Sequence, residues 1–310
     1  MKYTEIGKTG MRVSNISFGA SSLGGVFHSI KEDEALTAVY AAVDKGINFI
    51  DVSPYYGHLK AEIVLGKALN NIERSEYYLS TKVGRYGKGG ENHWDYSAQR
   101  SVESVYESME RLHINYIDLI NVHDIEFADL DQICNETLPA LADLRNKGIV
   151  KHIGITNLTL RHFKYVIDNV PSGTVESILS FCHHCLNDNA LVEYLDYFEQ
   201  KEVGIINASP FSMGLLTQRG APDWHPAPAP LKELAKKAAL HCASKGKTIE
   251  QLALQYSVSN PRIATTLFSS ANPNSVLQNI EWINEPLDEV LLHEVQEILR
   301  PRFCDTWLNS

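Results

Sequence analysis

The sequence predicts an α/β protein whose strands close into one (β/α)₈ TIM barrel over residues 1–310. Eight short runs rich in Ile, Val and Phe alternate with longer segments, which is typical of parallel strands joined by helices. Segments 32–45 and 97–112 repeat apolar residues about every 3.6 positions, the period of a helix with one buried face. A chain of 310 residues is a common length for such a barrel folded as a single domain.

The elements follow in order along the chain. Residues 3–14 predict a β-hairpin before the barrel, with its turn at Lys8–Thr9–Gly10. Residues 212–230 predict a long Pro-rich loop after the seventh strand, and residues 288–299 predict an additional terminal helix. The eight predicted strands are 16–18, 47–51, 78–82, 117–122, 152–156, 177–181, 203–208 and 263–268.

Composition excludes several classes of function. The formal net charge is −10 and no basic block occurs, so we expect neither a nucleic acid nor an anionic membrane as partner. No apolar run approaches the roughly 20 residues of a membrane span, and the N-terminus lacks the apolar core of a secretory signal. The five cysteines are an odd number, which fits free thiols in a reducing compartment. We therefore expect a cytoplasmic protein.

Titratable side chains follow several predicted strands at the point where each strand ends. In a barrel of this kind the catalytic residues lie at the carboxyl ends of the strands. A single Lys or Asp there is more often part of a structural ion pair, but four such residues on successive strands favour a catalytic group. The four are Asp51, Tyr56, Lys82 and His123.

These four side chains suit proton transfer coupled to hydride transfer. A tyrosine has a pKa near 10, too high for a base at neutral pH, and a nearby lysine ammonium would lower it. Lowering the pKa by about 2–3 units corresponds to roughly 3–4 kcal/mol of differential stabilisation. An aspartate would keep the lysine charged, and a histidine could hold the substrate oxygen by a hydrogen bond.

The order of these residues resembles the aldo-keto reductase superfamily. It comprises Asp–x₄–Tyr–Gly, then a lysine after Ser-Thr, then a histidine after a strand, and GITN at 154–157 and ASPFSMGLLT at 208–217 extend the resemblance. The resemblance implies that Tyr56 is the general acid/base of a catalytic tetrad. The sequence is most similar to the group of plant-type L-galactose dehydrogenases, which oxidise a sugar at its anomeric carbon to a lactone. That similarity lies in FGASSLGGVF, DVSPYYG, HDIEFADLDQI, NDNAL, SPFSMGLLT and DWHPAPAPLK.

The resemblance also implies a nicotinamide cofactor bound without a Rossmann domain. NADP-binding members carry a Lys–Ser pair after strand eight and an arginine a few residues later, where this chain has Ser269 and Ser275. No Lys or Arg occurs between 263 and 299, so a 2′-phosphate would lack a counter-charge, and NAD is favoured over NADP. The expected cofactor contacts are Thr156, Asn157, Ser180, Ser209, Phe211, Met213, Gly214, Leu215, Ser269, Ser270, Ser275, Gln278 and Asn279.

Two departures from the family pattern concern the nicotinamide. A tyrosine that often stacks on the ring is replaced by Ala208 here. A glutamine that often binds the carboxamide is replaced by Ser180.

The stretch SFCHHCLND at 180–188 allows three interpretations. A structural zinc site needs four converging ligands, and only one cysteine pair is present. A CxxC redox pair normally lies at a helix N-terminus in a thioredoxin-like fold, which nothing else supports. We therefore expect no metal and interpret the stretch as pocket wall. Side-chain alternation would place Cys182 and His184 on one side and His183 and Cys185 on the other. Alternation alone does not decide which pair faces the pocket, but Ser180 at the cofactor position would put Cys182 on the side of the sugar.

Other polar segments are given structural or substrate roles. Asp124 is expected to contact sugar hydroxyls together with Tyr56 and His123, whereas Glu126, Asp129 and Asp131 are expected to be solvated. GRYGKGG at 84–90 lacks the ending of a phosphate-binding loop and is interpreted as a flexible rim loop. DWHP at 223–226 fits a lid and a structural loop about equally well.

The sequence thus predicts an NAD-dependent dehydrogenase that oxidises a free aldose at C1. L-Galactose is the leading substrate, followed by L-fucose and D-arabinose. One alternative is an NADPH-dependent carbonyl reductase, which would need basic residues for the 2′-phosphate. The other is a cofactor-binding regulatory subunit of the kind that accompanies potassium channels. We expect a monomer or a weak dimer.

Overall fold

The fold is a closed barrel of eight parallel strands, as the sequence predicts. The computed structural model describes residues 1–26, 29–87, 94–305 and 307. The barrel strands are β3 (Ile16–Gly19), β4 (Phe49–Asp51), β5 (Tyr78–Val83), β6 (Ile117–Val122), β7 (Val150–Asn157), β8 (Ser177–Phe181), β9 (Gly204–Ala208) and β10 (Thr265–Ser269). They follow one another around the barrel in chain order, β10 closes it against β3, and every neighbouring pair is parallel.

Helices surround the barrel. They are α1 (Glu32–Asp44), α2 (Lys60–Leu69), α3 (Ala98–Leu112), α4 (Leu130–Gln132), α5 (Leu138–Asn146), α6 (Leu160–Asp168), α7 (Leu195–Gln200), α8 (Ala229–Ser244), α9 (Ile249–Ser257), α10 (Pro273–Asn284) and α11 (Glu289–Leu299). The boundaries of α3 follow from its sequence. The side chain of Ser97 caps the first turn by accepting the Arg100 N–H, and His113 ends the helix in the left-handed region.

A hairpin closes the bottom of the barrel. Strands β1 (Tyr3–Glu5) and β2 (Arg12–Ser14) pair antiparallel, which confirms the predicted hairpin. Its apolar side chains Ile6, Met11 and Val13 are buried. They form one cluster with inward-facing residues of the strands, namely Phe49, Leu119, Leu179, Ile206 and Leu267. The barrel interior at this end is therefore a packed core.

An additional helix lies between the last two strands. The predicted Pro-rich loop ends before Ala229, where α8 begins with a proline in its first turn, a common helix start. Helices α8, α9 and α11 share an apolar cluster outside the barrel that includes Ala238, Leu252 and Val295. This confirms additional helices and loops after the seventh strand.

Candidate active site

A buried ion pair joins two neighbouring strand ends. Asp51 ends β4, and Lys82 lies near the end of the neighbouring strand β5, two residues beyond Ser80, the register partner of Asp51. Lys82 Nζ is 2.5 Å from Asp51 Oδ2 and donates a second hydrogen bond of 2.8 Å to the Val52 carbonyl. Ser80 Oγ donates to the other carboxylate oxygen at 2.8 Å. The surroundings keep the lysine charged, since its pKa is raised by the Asp51 carboxylate and Tyr56 despite burial.

Tyr56 lies directly beside this pair. The Lys82 ammonium is 5.0 Å from the centroid of the tyrosine ring. Gly57 fixes the loop here, because its left-handed backbone packs so closely on Gly24 that a Cβ would lie 2.1 Å from the Gly24 carbonyl oxygen. Burial raises the pKa of Tyr56 to about 12, and the lowering effect of Lys82 does not compensate. The expected net lowering is therefore not found.

His123 completes the group. It follows β6, is buried, and its ring lies edge-on to Tyr56 with the centroids 5.8 Å apart. Its Nδ1 is 3.1 Å from Ser53 Oγ. Burial, with Lys82 and Arg85 nearby, lowers the pKa of His123 well below its usual value, so the imidazole is neutral at physiological pH. The structure thus brings all four predicted catalytic side chains together at one end of the barrel.

Arg85 is part of the same mouth and was not predicted. Its guanidinium lies 3.6 Å from the centroid of the Tyr55 ring and 4.5 Å from that of Trp94, and it forms an ion pair with Asp124. Trp94 in turn stacks on Phe127 with ring centroids 4.3 Å apart. Arg85 follows the end of β5 by two residues, so the strand-end rule could have found it. The last residues of the predicted rim loop, 88–90, lie outside the described residues.

The acidic residues after β6 are more buried than expected. Asp124 has a left-handed backbone, and its N–H donates to Thr156 Oγ1 at 2.9 Å. Glu126 was expected to be solvated, but its Oε2 is buried without a partner among the described residues. Burial and the Asp124 charge raise the pKa of Glu126 to about 8. Thr156, a predicted cofactor contact, therefore also holds Asp124 in place.

Two predicted cofactor contacts, Asn157 and Ser180, differ in availability. Asn157 is fully buried, and its amide is already engaged, accepting from Glu126 N–H and donating to the Thr159 carbonyl, each at 2.8 Å. Ser180 pairs with Asn157 in the sheet register. Its hydroxyl is buried and has no partner among the described residues. A polar group of a cofactor would satisfy it.

The stretch SFCHHCLND does not form an extended segment. Cys182 has a left-handed backbone, and Cys185 and Asp188 pair their backbones across a tight turn. The predicted alternation is therefore wrong, because β8 ends at Phe181 and the chain turns after it. Cys182 is only 1% exposed, and burial raises the pKa of its thiol to about 12.

The two histidines of this stretch have structural partners. His183 contacts the Leu158 carbonyl through Nε2 at 2.6 Å and Asp188 through Nδ1 at 3.2 Å. The His184 ring stacks on Tyr256 at 5.1 Å. Among the described residues no group of His, Cys, Asp and Glu could hold a metal ion. The stretch is therefore packed structure rather than open pocket wall, and a contact between Cys182 and a sugar stays a prediction.

The loop after β9 has an unusual backbone. Ser209, Ser212, Met213 and Gly214 all have positive φ, between 48° and 98°. Non-glycine residues in this region cost about 1 kcal/mol or more each and cluster at ligand sites. The neighbouring DWHP segment is tied to this loop, because His225 Nε2 bonds the Ser212 carbonyl at 2.8 Å. The side chains of Phe211 and Leu215, also predicted contacts in this loop, are partly and fully buried.

The segment after β10 carries the remaining predicted cofactor residues. Ser269 Oγ accepts hydrogen bonds from Ser22 N–H at 2.9 Å and from Ser21 Oγ at 3.0 Å. Helix α10 begins nearby, and its N-terminus attracts anions. No lysine or arginine accompanies it between 263 and 299. The other predicted residues, Ser270, Ser275, Gln278 and Asn279, lie before the start of α10 or on its first two turns.

Comparison with known proteins identifies the family. The model of the aldo/keto reductase family matches residues 15–300. The chain belongs to the aldo-keto reductase family. It is 47% identical to L-galactose dehydrogenase of Arabidopsis thaliana over 97% of this chain and 95% of that protein. It is 34% identical to D-arabinose 1-dehydrogenase of Saccharomyces cerevisiae over 70% of this chain and 67% of that one.

A solved structure of an aldo-keto reductase from Bacillus halodurans superimposes with a TM-score of 0.79. The two chains are 25% identical, and the match covers 96% of each. The protein is therefore an oxidoreductase of a family that uses nicotinamide cofactors.

Within the described residues, no helix has the length and apolar character that crossing a membrane requires.

Proposed function

We propose that this aldo-keto reductase is an NAD-dependent aldose 1-dehydrogenase that oxidises L-galactose at C1 to its lactone. The buried Lys82–Asp51 ion pair beside Tyr56, with a neutral His123 facing the same ring, carries the proposal. This arrangement provides a proton acceptor and a hydrogen-bond donor at one point, as removal of hydride from an alcohol carbon requires.

In the proposed mechanism Tyr56 takes the proton of the anomeric hydroxyl while hydride leaves C1. The Lys82 ammonium stabilises the Tyr56 phenolate that accepts this proton and becomes the phenol, and Asp51 keeps that ammonium charged and in place. Neutral His123 donates a hydrogen bond to the reacting oxygen and fixes its position. The nicotinamide cofactor, when bound, supplies the hydride acceptor.

The residues present fit a nicotinamide cofactor. The unpartnered, buried Ser180 hydroxyl next to Asn157 suits a carboxamide, and the positive-φ loop at Ser209–Leu215 suits a pyrophosphate. Residues Ser269 to Asn279 would hold the adenosine end. The absence of lysine and arginine from 263–299 supports NAD rather than NADP.

A sugar substrate is supported by the polar and aromatic mouth around the tetrad. Asp124 and its partner Arg85 offer an acceptor and a donor for sugar hydroxyls, and the partly exposed aromatic side chains of Tyr55 and Trp94 lie around Arg85. The printed names of two relatives, L-galactose dehydrogenase and D-arabinose 1-dehydrogenase, support an aldose of this kind. We place L-galactose first, with L-fucose and D-arabinose as further candidates.

The remaining proposals concern the whole chain. We treat residues 1–310 as one domain, which the hairpin packed under the barrel supports. Among the described residues none of the five cysteines forms a disulfide bond, which supports the reducing cytoplasm as its compartment. We expect a monomer or a weak dimer, with no nucleic-acid or membrane partner.

The test is an initial-rate assay at the absorbance band of reduced nicotinamide. L-Galactose, L-fucose and D-arabinose are each offered with NAD⁺ and with NADP⁺, to the wild type and to Tyr56→Phe. Rapid turnover of one sugar with NAD⁺, reduced at least about 10²-fold in the variant, is the expected result. Reduction of small aldehydes by NADPH without sugar oxidation would indicate a carbonyl reductase. Very slow turnover with tightly retained cofactor would indicate a regulatory subunit.

A further inference from the structure

Ser53 is a buried serine in the loop that carries Tyr56, and it contacts His123. Its side chain is 0% exposed, and Oγ lies 3.1 Å from His123 Nδ1. We propose that Ser53 is a positioning residue that holds the proton of neutral His123 on Nε2, where it can bind the reacting oxygen. This inference rests on the proposed function for the role of His123, whereas the tautomer itself can be measured without turnover.

The direction of the hydrogen bond follows from counting donors. Ser53 Oγ already accepts the Tyr55 N–H at 3.1 Å. Among the described residues the only acceptor for its own hydroxyl proton is His123 Nδ1. If Nδ1 carried the proton, the serine hydroxyl would lie buried without an acceptor, which is costly. The serine therefore donates to Nδ1, and the ring proton of the neutral imidazole resides on Nε2.

On the other side of the imidazole, no carboxylate of the described residues accepts the proton on Nε2. The nearest carboxylate oxygen to Nε2 is Asp124 Oδ2 at 3.6 Å, beyond hydrogen-bonding distance. Arg85 pairs with this same oxygen and so draws it away from the histidine. Ser53 on one side and Arg85 on the other thus keep an N–H available for a ligand.

Histidine nitrogen NMR tests the tautomer directly. The protein is labelled with ¹⁵N at its 12 histidines, and His123→Asn assigns the His123 signals. Wild type should show Nδ1 at the chemical shift of an unprotonated nitrogen and Nε2 at that of a protonated one. A proton on Nδ1 would overturn the proposal at once, whatever the variants do.

The substitution Ser53→Ala should replace the single tautomer by a mixture. It should lower kcat for sugar oxidation about tenfold, as loss of one buried hydrogen bond predicts, with little change in KM for the cofactor. Ser53→Thr keeps the hydroxyl and should restore both the tautomer and most of kcat. Ser101→Ala, a buried serine whose hydroxyl has no partner among the described residues, is the matched control and should change neither.

The outcomes separate this inference from the proposed function. A pure Nε2–H tautomer in Ser53→Ala would overturn the positioning role even if the enzyme oxidises sugars. The expected shift of tautomer without sugar oxidation by any form would uphold the role of Ser53 and overturn the proposed function. If Ser53→Ala does not fold, Ser53→Cys, a near-isosteric and weaker donor, takes its place and should show a mixed tautomer. A single Nε2–H tautomer in Ser53→Cys would then overturn the role.

Discussion

Replacing Lys82 by methionine should lower both stability and activity, for two reasons that can be separated. Both side chains of the Lys82–Asp51 pair are at most 5% exposed. Removing the lysine leaves a buried carboxylate that keeps, among the described residues, only the Ser80 hydroxyl as a side-chain donor. Breaking a buried pair in this way costs about 3–5 kcal/mol. At roughly 2 °C per kcal/mol for a large domain, Tm should fall by about 6–10 °C.

The double variant Lys82→Met/Asp51→Asn separates the two effects. Its asparagine is neutral and can still accept the Ser80 hydrogen bond, so most of the lost stability should return. Activity should not return, because Lys82 is the largest influence that lowers the pKa of Tyr56. We expect kcat at least about 10²-fold below wild type in both variants.

Thermal melts and initial rates with the sugar measure the two effects on the same preparations. Arg74→Met is the matched control, since it breaks the ion pair with Asp118, whose strand β6 also lies in the barrel wall. It should lower Tm without lowering kcat. Recovery of activity in the double variant would refute the catalytic argument and leave Lys82 a structural role. An unchanged Tm in Lys82→Met would refute the argument from buried charge.

Three further predictions follow from the electrostatics of the site. Because the pKa of Tyr56 is raised to about 12, its phenol is protonated near neutrality, and kcat/KM for sugar oxidation should rise with pH across about pH 6 to 9. Ser275→Arg should supply the missing counter-charge at α10 and lower KM for NADP⁺ about tenfold. Arg85→Met should free Asp124 beside His123 and raise the pKa of the histidine. Activity should then fall at acid pH, where the wild type is still active, and KM for the sugar should rise.

Each of these has a result that would contradict it. A flat pH profile would mean that the phenolate is already present in the working complex. Asn274→Arg, one position earlier in α10, controls for a general gain of positive charge, and equal gains in both variants would argue against a specific phosphate contact. The measurement for Arg85→Met is the pH profile of kcat/KM. If its activity at acid pH equals that of the wild type, Asp124 does not approach His123.

The barrel and its catalytic end could be predicted from the sequence because both depend on local patterns. Each strand is a short apolar run, and Asp51, Lys82 and His123 each lie at or just beyond such a run. Parallel strands then bring those ends together irrespective of the details of packing. For the same reason the hairpin and the terminal helix were found within a few residues of their bounds.

Features that depend on three-dimensional packing could not be predicted. The pKa of Tyr56 is decided by how far its ring is buried, which no spacing reveals. The alternation proposed for 182–185 failed because a left-handed residue at Cys182 turns the chain. Arg85 is different, because the strand-end rule reaches it, but its glycine-rich surroundings indicate a flexible rim, whereas stacking on Tyr55 fixes it.

The hairpin under the barrel makes the molecule open at one end only. With Ile6, Met11 and Val13 filling the bottom, the described residues leave no path through the centre, so the proposed substrate and product would share a single entrance. In the proposed reaction, product would have to leave before the next sugar enters, and slow release would limit turnover. The bottom can be altered without touching that entrance. Extensions or surface attachment at the N-terminal end should therefore leave catalysis intact, whereas a partner bound over the mouth would stop it.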